Sequence, residues 1–400
     1  MRWKRNVVGG AVAMIAPASM LVGAGQAAAT VGNPATAHRN FPVCSTAPAG
    51  YAHCHAIVHQ SITANGTPSP NASSPTGYSP STYKQAYGWT GIGSGSGETI
   101  AIVDAFDDPT IASDLAAFDT AFGLPAPTSF TKVNQNGGIK YPRPNPGWAL
   151  EMSLDVEWAH AIAPAASILL VEASSNGTGN LLSAESYAAR HANYVSNSWG
   201  ANEFSTESLY DGYFSGTVSG HPVSFFASAG DSGGTVEWPS ASPKVISIGG
   251  TTLTDPGGSW SETAWSSSGG GCSSYEDPNP AQVTGPNVTC PKRTRATPDV
   301  ASDADPNTGL AVYDTTSYYG QSGWFEVGGT SAASPVWAAR SADQATVVNS
   351  SYVYAGYPGT NPITPYGSNI AYRDITTGSN GYRTNPGYDL ATGLGTWTGI

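Results

Sequence analysis

Short apolar runs alternate with stretches of helical spacing between residues 99 and 227, and that alternation leaves few architectures open to the chain. Thr99-Ile100-Ala101-Ile102-Val103 follows Gly97 and ends at Asp104, and residues 111–122 then carry apolar positions at helical spacing. Residues 148–162 read as a helix, 167–171 as a strand, 180–192 as a helix, 194–196 as a strand, 206–219 as a helix and 223–227 as a strand. Strands that are apolar throughout, separated by helices, require a parallel sheet covered on both faces. The expected fold is therefore α/β and doubly wound, a mostly parallel sheet with helices on both faces. Beyond Asp231 the pattern loosens into Gly/Ser/Pro-rich loops around Val245-Ile246-Ser247-Ile248 and Leu310-Ala311-Val312-Tyr313, before a helix opens at Ser331.

The first 82 residues read differently. Arg2, Lys4 and Arg5 precede an apolar run, and Ala27-Ala28-Ala29 offers a small-residue cleavage site, so residues 1–29 are expected to be a secretory signal. Pro17, Ser19 and Gly23 interrupt that run, which is short for a membrane span, and no other long uncharged apolar segment follows. A secreted product without a membrane anchor is the expectation. Residues 30–82, rich in Pro, Ser, Asn, Gly and Thr, read as an irregular arm, and residues 83–400 as one large domain. Four cysteines in an exported chain favour two disulfides, the local pairing Cys44–Cys54 and Cys272–Cys290 being one of three possibilities. Cys44, His53, Cys54 and His55 also resemble a ligand cluster, although zinc sites usually set their cysteine pair about two to four residues apart.

The formal charge is −12 for the whole chain, and removing the three basic residues of the signal makes the remainder more acidic still. That balance argues against nucleic acid and against an anionic membrane as partner. Only 11% of residues are charged, so a largely neutral polar surface loses few ion pairs on acidification and acid tolerance is expected.

Chemistry concentrates in three places. In Gly328-Gly329-Thr330-Ser331-Ala332-Ala333-Ser334-Pro335 small residues surround one hydroxyl where a loop becomes a helix, which fits an exposed nucleophile or a helix cap. Glu151 and Asp155 are four apart and share one helical face among apolar neighbours, so burial and mutual repulsion would raise at least one pKa. Asp231 follows an apolar strand, where it could donate a hydrogen bond to an oxyanion if protonated, or merely form an Asx turn. Of seven histidines, His160 is the best placed as a base, yet it stands five residues past Asp155 and so points roughly 140° away from it.

Six segments together resemble the sedolisins, the serine-carboxyl peptidases of subtilisin-like fold. They are Glu151 and Asp155 running into Ala161-Ile162-Ala163-Pro164; Ser196-Asn197-Ser198-Trp199-Gly200; Ser228-Ala229-Gly230-Asp231-Ser232-Gly233; Gly249-Gly250-Thr251; Pro298-Asp299-Val300; and the Gly-Thr-Ser at Ser331. The resemblance implies an endopeptidase domain over residues 83–400, acting on peptide or protein substrates and favouring acidic pH; a monomer is expected, although the sequence leaves oligomeric state open. It implies Ser331 as nucleophile, Glu151 as general base and acid, Asp155 as its partner and Asp231 as the oxyanion-stabilising acid. Ser198, Trp199 and Gly200 would pair with substrate backbone. A calcium ion (Ca2+) would be held by carboxylates of Asp374 and Asp389 and carbonyls of Ile375, Asn385 and Gly387, with Asn385 standing where the family usually has glycine. The family normally carries a large folded pro-domain, whereas here about 50 residues separate the expected cleavage site from Tyr83. Two competing readings make different demands. An inactive binding protein should have lost one of Ser331, Glu151 and Asp231, and a subtilisin-type triad would use Asp104 and His160 without its His-Gly-Thr-His helix.

Overall fold

The computed structural model describes residues 37–399 except 64, 67, 70–72, 92, 285–289 and 356–369, so the expected signal at residues 1–29 lies outside the described residues. Three strands come first, β1 (His38–Pro42), β2 (His53–Cys54) and β3 (Ile57–Ser61), and then helix α1 (Pro80–Tyr87). The alternation follows: β4 (Thr99–Ala105), α2 (Ile111–Phe122), β5 (Ser129–Asn134), α3 (Pro146–Ile162), β6 (Ser167–Ala173), α4 (Thr178–Ala188) and β7 (Tyr194–Asn197). Next are β8 (Trp199–Asn202), β9 (Ser224–Ser228), β10 (Glu237–Trp238), β11 (Ile246–Thr254) and β12 (Val300–Asp303). The hairpin β13 (Leu310–Tyr318) and β14 (Gln321–Gly328), helix α5 (Thr330–Asp343), β15 (Ala371–Arg373) and β16 (Thr396–Thr398) close the chain.

The central sheet has ten strands in the order β15-β16-β12-β11-β9-β7-β4-β6-β5, with Ser261–Ala264 added antiparallel beside β11. From β16 to β5 every pairing is parallel, and only the β15 edge and the added strand run the other way. Ile100, Ile102, Val103, Leu170, Val171, Val195, Phe226 and Ile248 are fully or almost fully buried, which is why these strands read as continuous apolar runs. α3 and α5 pack against each other and onto the sheet. The chain leaves β4 toward β6 on one side and reaches β7 on the other, so the carboxyl ends of β4 and β7 flank the switch point at which open α/β sheets bind ligands.

Four expectations change. Residues 206–219 form a 3-10 segment, Glu207–Tyr213, and a small hairpin instead of a helix. Gly216 stands in the middle of that stretch, where a Cβ would lie 2.3 Å from the Ala189 carbonyl oxygen. Val245 to Ile248, expected in a loop, leads into β11 at the centre of the sheet, and Leu310 to Tyr313 begins β13. The stretch expected to be an irregular arm contributes three strands, because its partners come from distant segments: β3 pairs with β1 and β14, and β2 pairs with β8. Both local disulfides, Cys44–Cys54 and Cys272–Cys290, are formed.

Many acids are buried without a cation. Burial pushes Asp104 up to about 8 and Glu185 up to about 8, and burial followed by the Asp108 charge pushes Asp314 up to about 9. Because these folded-state values exceed the unfolded ones, the folded state holds more protons, and the stabilisation present near pH 4 is lost as pH rises through about 8. The melting temperature is therefore expected to be higher at pH 4.5 than at pH 8, by roughly 10 °C. Calorimetry showing the opposite order would contradict this assignment of buried, protonated acids.

Candidate active site

Asn145 caps α3 by accepting from the Gly147 and Trp148 N–H groups, and Pro146 supplies a preset first turn. The helix is buried on almost every side, so Glu151 and Asp155 sit together in the interior, both fully enclosed. Asp104, at the carboxyl end of β4, completes a group of three buried acids with no ion-pair partner among the described residues. Among the described residues no hydrogen bond of good geometry reaches either oxygen of Glu151 or Asp104, while Asp155 Oδ1 accepts from Ser198 Oγ at 3.0 Å. Burial holds the Glu151 carboxyl well above its ordinary range, Asp155 and then Asp104 raise it further, and the neighbouring Ser331 side chain draws it partly back. Burial and Asp104 likewise raise Asp155 well above the usual range. The three acids cannot all ionise in so small a volume, so they share protons.

Ser331 is the second residue of α5. Gly329, with φ of 93°, makes the entry turn, and Thr330 fixes Asp231 by donating from its N–H and its Oγ1, both at 2.8 Å to Asp231 Oδ1. Pro335 lies four residues past Ser331 and has no N–H, so the Ser331 carbonyl is released from the helix ladder and lies 3.4 Å from Ser198 Oγ. Asp231 Oδ2 is buried and unpartnered, and burial pushes this carboxyl up to about 6 against the lowering effects of His55 and Thr330. The carboxyl ends of β4, β7 and β9 thus deliver Asp104, Ser198 and Asp231 to one helix start.

Ser331 is covered. Ser331 is fully buried, its Oγ donates to the Ser198 carbonyl at 3.2 Å, and it accepts from the His55 backbone N–H at 3.0 Å. The Ser331 N–H in turn donates to the His55 carbonyl at 3.3 Å. β2 lies antiparallel on β8, with His53 opposite Gly200 and Cys54 opposite Trp199. Ser198, Trp199 and Gly200, expected to pair with substrate, therefore already carry a strand of this same chain. A Cβ at Gly329 would lie 1.8 Å from the His55 carbonyl oxygen and 2.7 Å from Asp231 Oδ2, so both oxygens face the same bare glycine.

His160 belongs elsewhere. Its Nε2 bonds the Pro125 carbonyl at 2.7 Å and stands 3.2 Å from Asp119, which removes it from any triad with Ser331. No histidine ring hydrogen-bonds Ser331 among the described residues. No sequence signal pointed to Glu237, whereas Asp104 lies at the end of its strand as the apolar run predicts, and it is fully buried there. His55 stands out in the sequence as part of a possible ligand cluster with Cys44, His53 and Cys54, and no local signal shows that its backbone reaches a serine 276 residues away.

Far along the chain, the two segments expected around calcium meet through Asp374 and Gly387. Gly387 N–H donates to Asp374 Oδ2 at 2.9 Å and Asn385 N–H to Asp389 Oδ2 at 2.9 Å, while Asp389 Oδ1 takes the Ala391 and Thr392 N–H groups. Neither carboxylate has a cationic side-chain partner among the described residues, and carboxylate oxygens are the hard ligands calcium takes.

A parallel α/β sheet with acids, a helix-start serine and a β8 edge at its switch point defines a class, and the comparisons agree with it. Residues 143–351 match the subtilase family, and the chain belongs to that family, on its sedolisin side. It is 31% identical over 372 residues to kumamolisin of Bacillus sp. (strain MN-32), spanning 82% of this chain and 63% of that protein. It is 27% identical to sedolisin of Pseudomonas sp. (strain 101), across 80% of this chain and 59% of the relative. The chain thus covers about three-fifths of the length of these curated relatives. Among solved structures, a Pseudomonas sedolisin, described as a serine-carboxyl proteinase complexed with pseudo-iodotyrostatin, superposes with a TM-score of 0.64 at 26% identity, covering 81% of this chain and 96% of that one.

Proposed function

We propose that the chain is a secreted serine-carboxyl endopeptidase. The observation that carries this reading is a helix-start serine beside three buried carboxyls with no cationic partner, a fourth carboxyl across from it, and no histidine ring hydrogen-bonded to it among the described residues. Ser331 Oγ attacks a peptide carbonyl while Glu151 takes its proton, acting in the fraction of molecules in which the group of three acids has lost its first proton and Asp155 and Asp104 keep theirs. The developing oxyanion accepts from the Ser331 N–H and from protonated Asp231 through its free Oδ2. Glu151 passes its proton to the departing amine, then activates the water that hydrolyses the ester on Ser331. The substrate lies along β8 as an added strand, at Ser198, Trp199 and Gly200, once β2 has left.

Asp231 must be protonated to donate, and its carboxyl stands at about 6, so turnover is expected to fall as pH rises through that value. An assay with an unfolded protein substrate from pH 3 to 9 should peak below pH 6 and vanish in Ser331→Ala. A maximum at or above pH 8, or activity that survives Ser331→Ala, would overturn the proposal.

Calcium enters as a structural ion held by Asp374, Asp389 and the carbonyls of Ile375, Asn385 and Gly387, where it would neutralise two carboxylates and tie two loops together. Removing it with a chelator is expected to lower the melting temperature by several degrees, and Asp389→Asn should abolish that difference. An unchanged melting curve with and without chelator would remove calcium from the account.

A further inference from the structure

Beside the covered serine lies a cluster of different chemistry, in which two histidines from β2 and its continuation meet one acid from β10. His55 Nε2 is 2.9 Å from Glu237 Oε2 and His53 Nε2 is 3.8 Å from the same oxygen, and all three ligand atoms lie within 4.8 Å of one another. We propose that His53, His55 and Glu237 form a binding site for one divalent transition-metal ion of the zinc type, which fastens β2 to the body of the protein.

The geometry is within reach of side-chain rotation. A tetrahedral ion with bonds near 2.0–2.1 Å sets neighbouring ligand atoms ~3.3 Å apart, so the His55–Glu237 separation must open and the His53–Glu237 separation close by about half an ångström each, and the two histidine nitrogens, within 4.8 Å of each other, must come to the same spacing. The outer contacts are already in place. His55 Nδ1 is 2.7 Å from Ser228 Oγ, and that hydroxyl donates to the Asn197 carbonyl at 3.4 Å. A hydroxyl that donates to the carbonyl accepts from the ring, so Nδ1 carries the proton and the Nε2 lone pair faces the Glu237 carboxylate. Two electron-rich atoms at 2.9 Å require a positive charge between them, and a metal ion supplies it as well as a second ring proton does.

His53 offers a third ligand. Its ring stands edge-on to that of His55, with centroids 5.0 Å apart, and its Nε2 approaches the same Glu237 oxygen that His55 approaches. The other charged neighbour acting on His55 is Asp231, whose sign also favours a cation here. Room is provided on both sides. A Cβ at Gly200 would stand 2.5 Å from Glu237 Oε2 and 2.7 Å from His55 Cε1, so only glycine leaves the pocket open. On the outer side, His53 and Glu237 line a cavity of about 510 Å³ with Ser232 and Glu203, through which an ion can enter and a water can complete the coordination.

The test uses the full chain, stripped of metal and kept in excess Ca2+ at pH 7, titrated calorimetrically with Zn2+. A single saturable site is expected, with affinity at least about tenfold weaker in His53→Ala, whose partly exposed ring can be removed without opening the core. His38→Ala, which breaks the stacked His38–His59 pair 4.8 Å apart, must leave that affinity unchanged. Absence of a saturable site, or equal affinity in the chain and in His53→Ala, would overturn the proposal. Loss of affinity in His38→Ala alone would place the ion at the other histidine pair and overturn it as well. None of these readouts depends on peptide cleavage, so the metal site and the catalytic reading can fail separately.

Discussion

Glu151→Gln is expected to lower kcat by about a thousandfold or more while leaving the protein folded and, near pH 7, no less stable. The two halves of that result have one cause. As a buried acid held well above its ordinary range, Glu151 destabilises the folded state whenever pH rises toward that range, because the unfolded chain would ionise it freely. The neutral amide removes this cost but can no longer take a proton from Ser331. Near pH 4, where the acid is protonated in the folded chain, the two proteins should melt together. The comparison is read from steady-state kinetics and from melting curves at pH 4 and pH 7. A variant that loses activity because it loses structure at both pH values would instead make Glu151 a packing residue.

The second large effect concerns access. In the uncut chain, Ser331 is expected to react with an active-site-directed peptide aldehyde at least about a hundredfold more slowly than after β2 is freed, since the covered state must open first. Freeing it needs a cut outside the disulfide loop, and Ser73, Ser74 and Pro75 lie on an exposed connection between β3 and α1. A recognition sequence for a site-specific protease inserted there leaves β1 to β3 attached only by non-covalent contacts. Labelling rates measured before and after the cut test the idea directly. Equal rates would mean that β2 shields nothing and that substrate reaches Ser331 by another route.

The parallel core was readable in the sequence because burial on both faces writes itself as uninterrupted apolar runs, as at Ile100 to Val103 and Leu169 to Val171. The acid pair was readable for a related reason, since a four-residue spacing on a helix is a local fact. What escaped notice was non-local. β11 hides behind a Gly-Gly-Thr stretch with weak strand character, and it becomes a strand because β9, β12 and Ser261–Ala264 surround it. β2 is two residues long and finds its register only against β8, some 146 positions away. The histidine cluster was half visible: His53 and His55 stood out beside two cysteines, but the cysteines bond each other and the third partner is Glu237, on an element no spacing rule connects to them.

The Cys44–Cys54 bridge closes a loop whose tip, from Pro48 to Gly50, is exposed. Exposed tips are where stray proteases bite. A bite there would leave the severed ends joined through sulfur, so His55 would stay on Ser331 at the high local concentration that a short tether enforces. The cover therefore tolerates accidental damage at its most vulnerable point, and only a break on the far side of β3 can dismiss it.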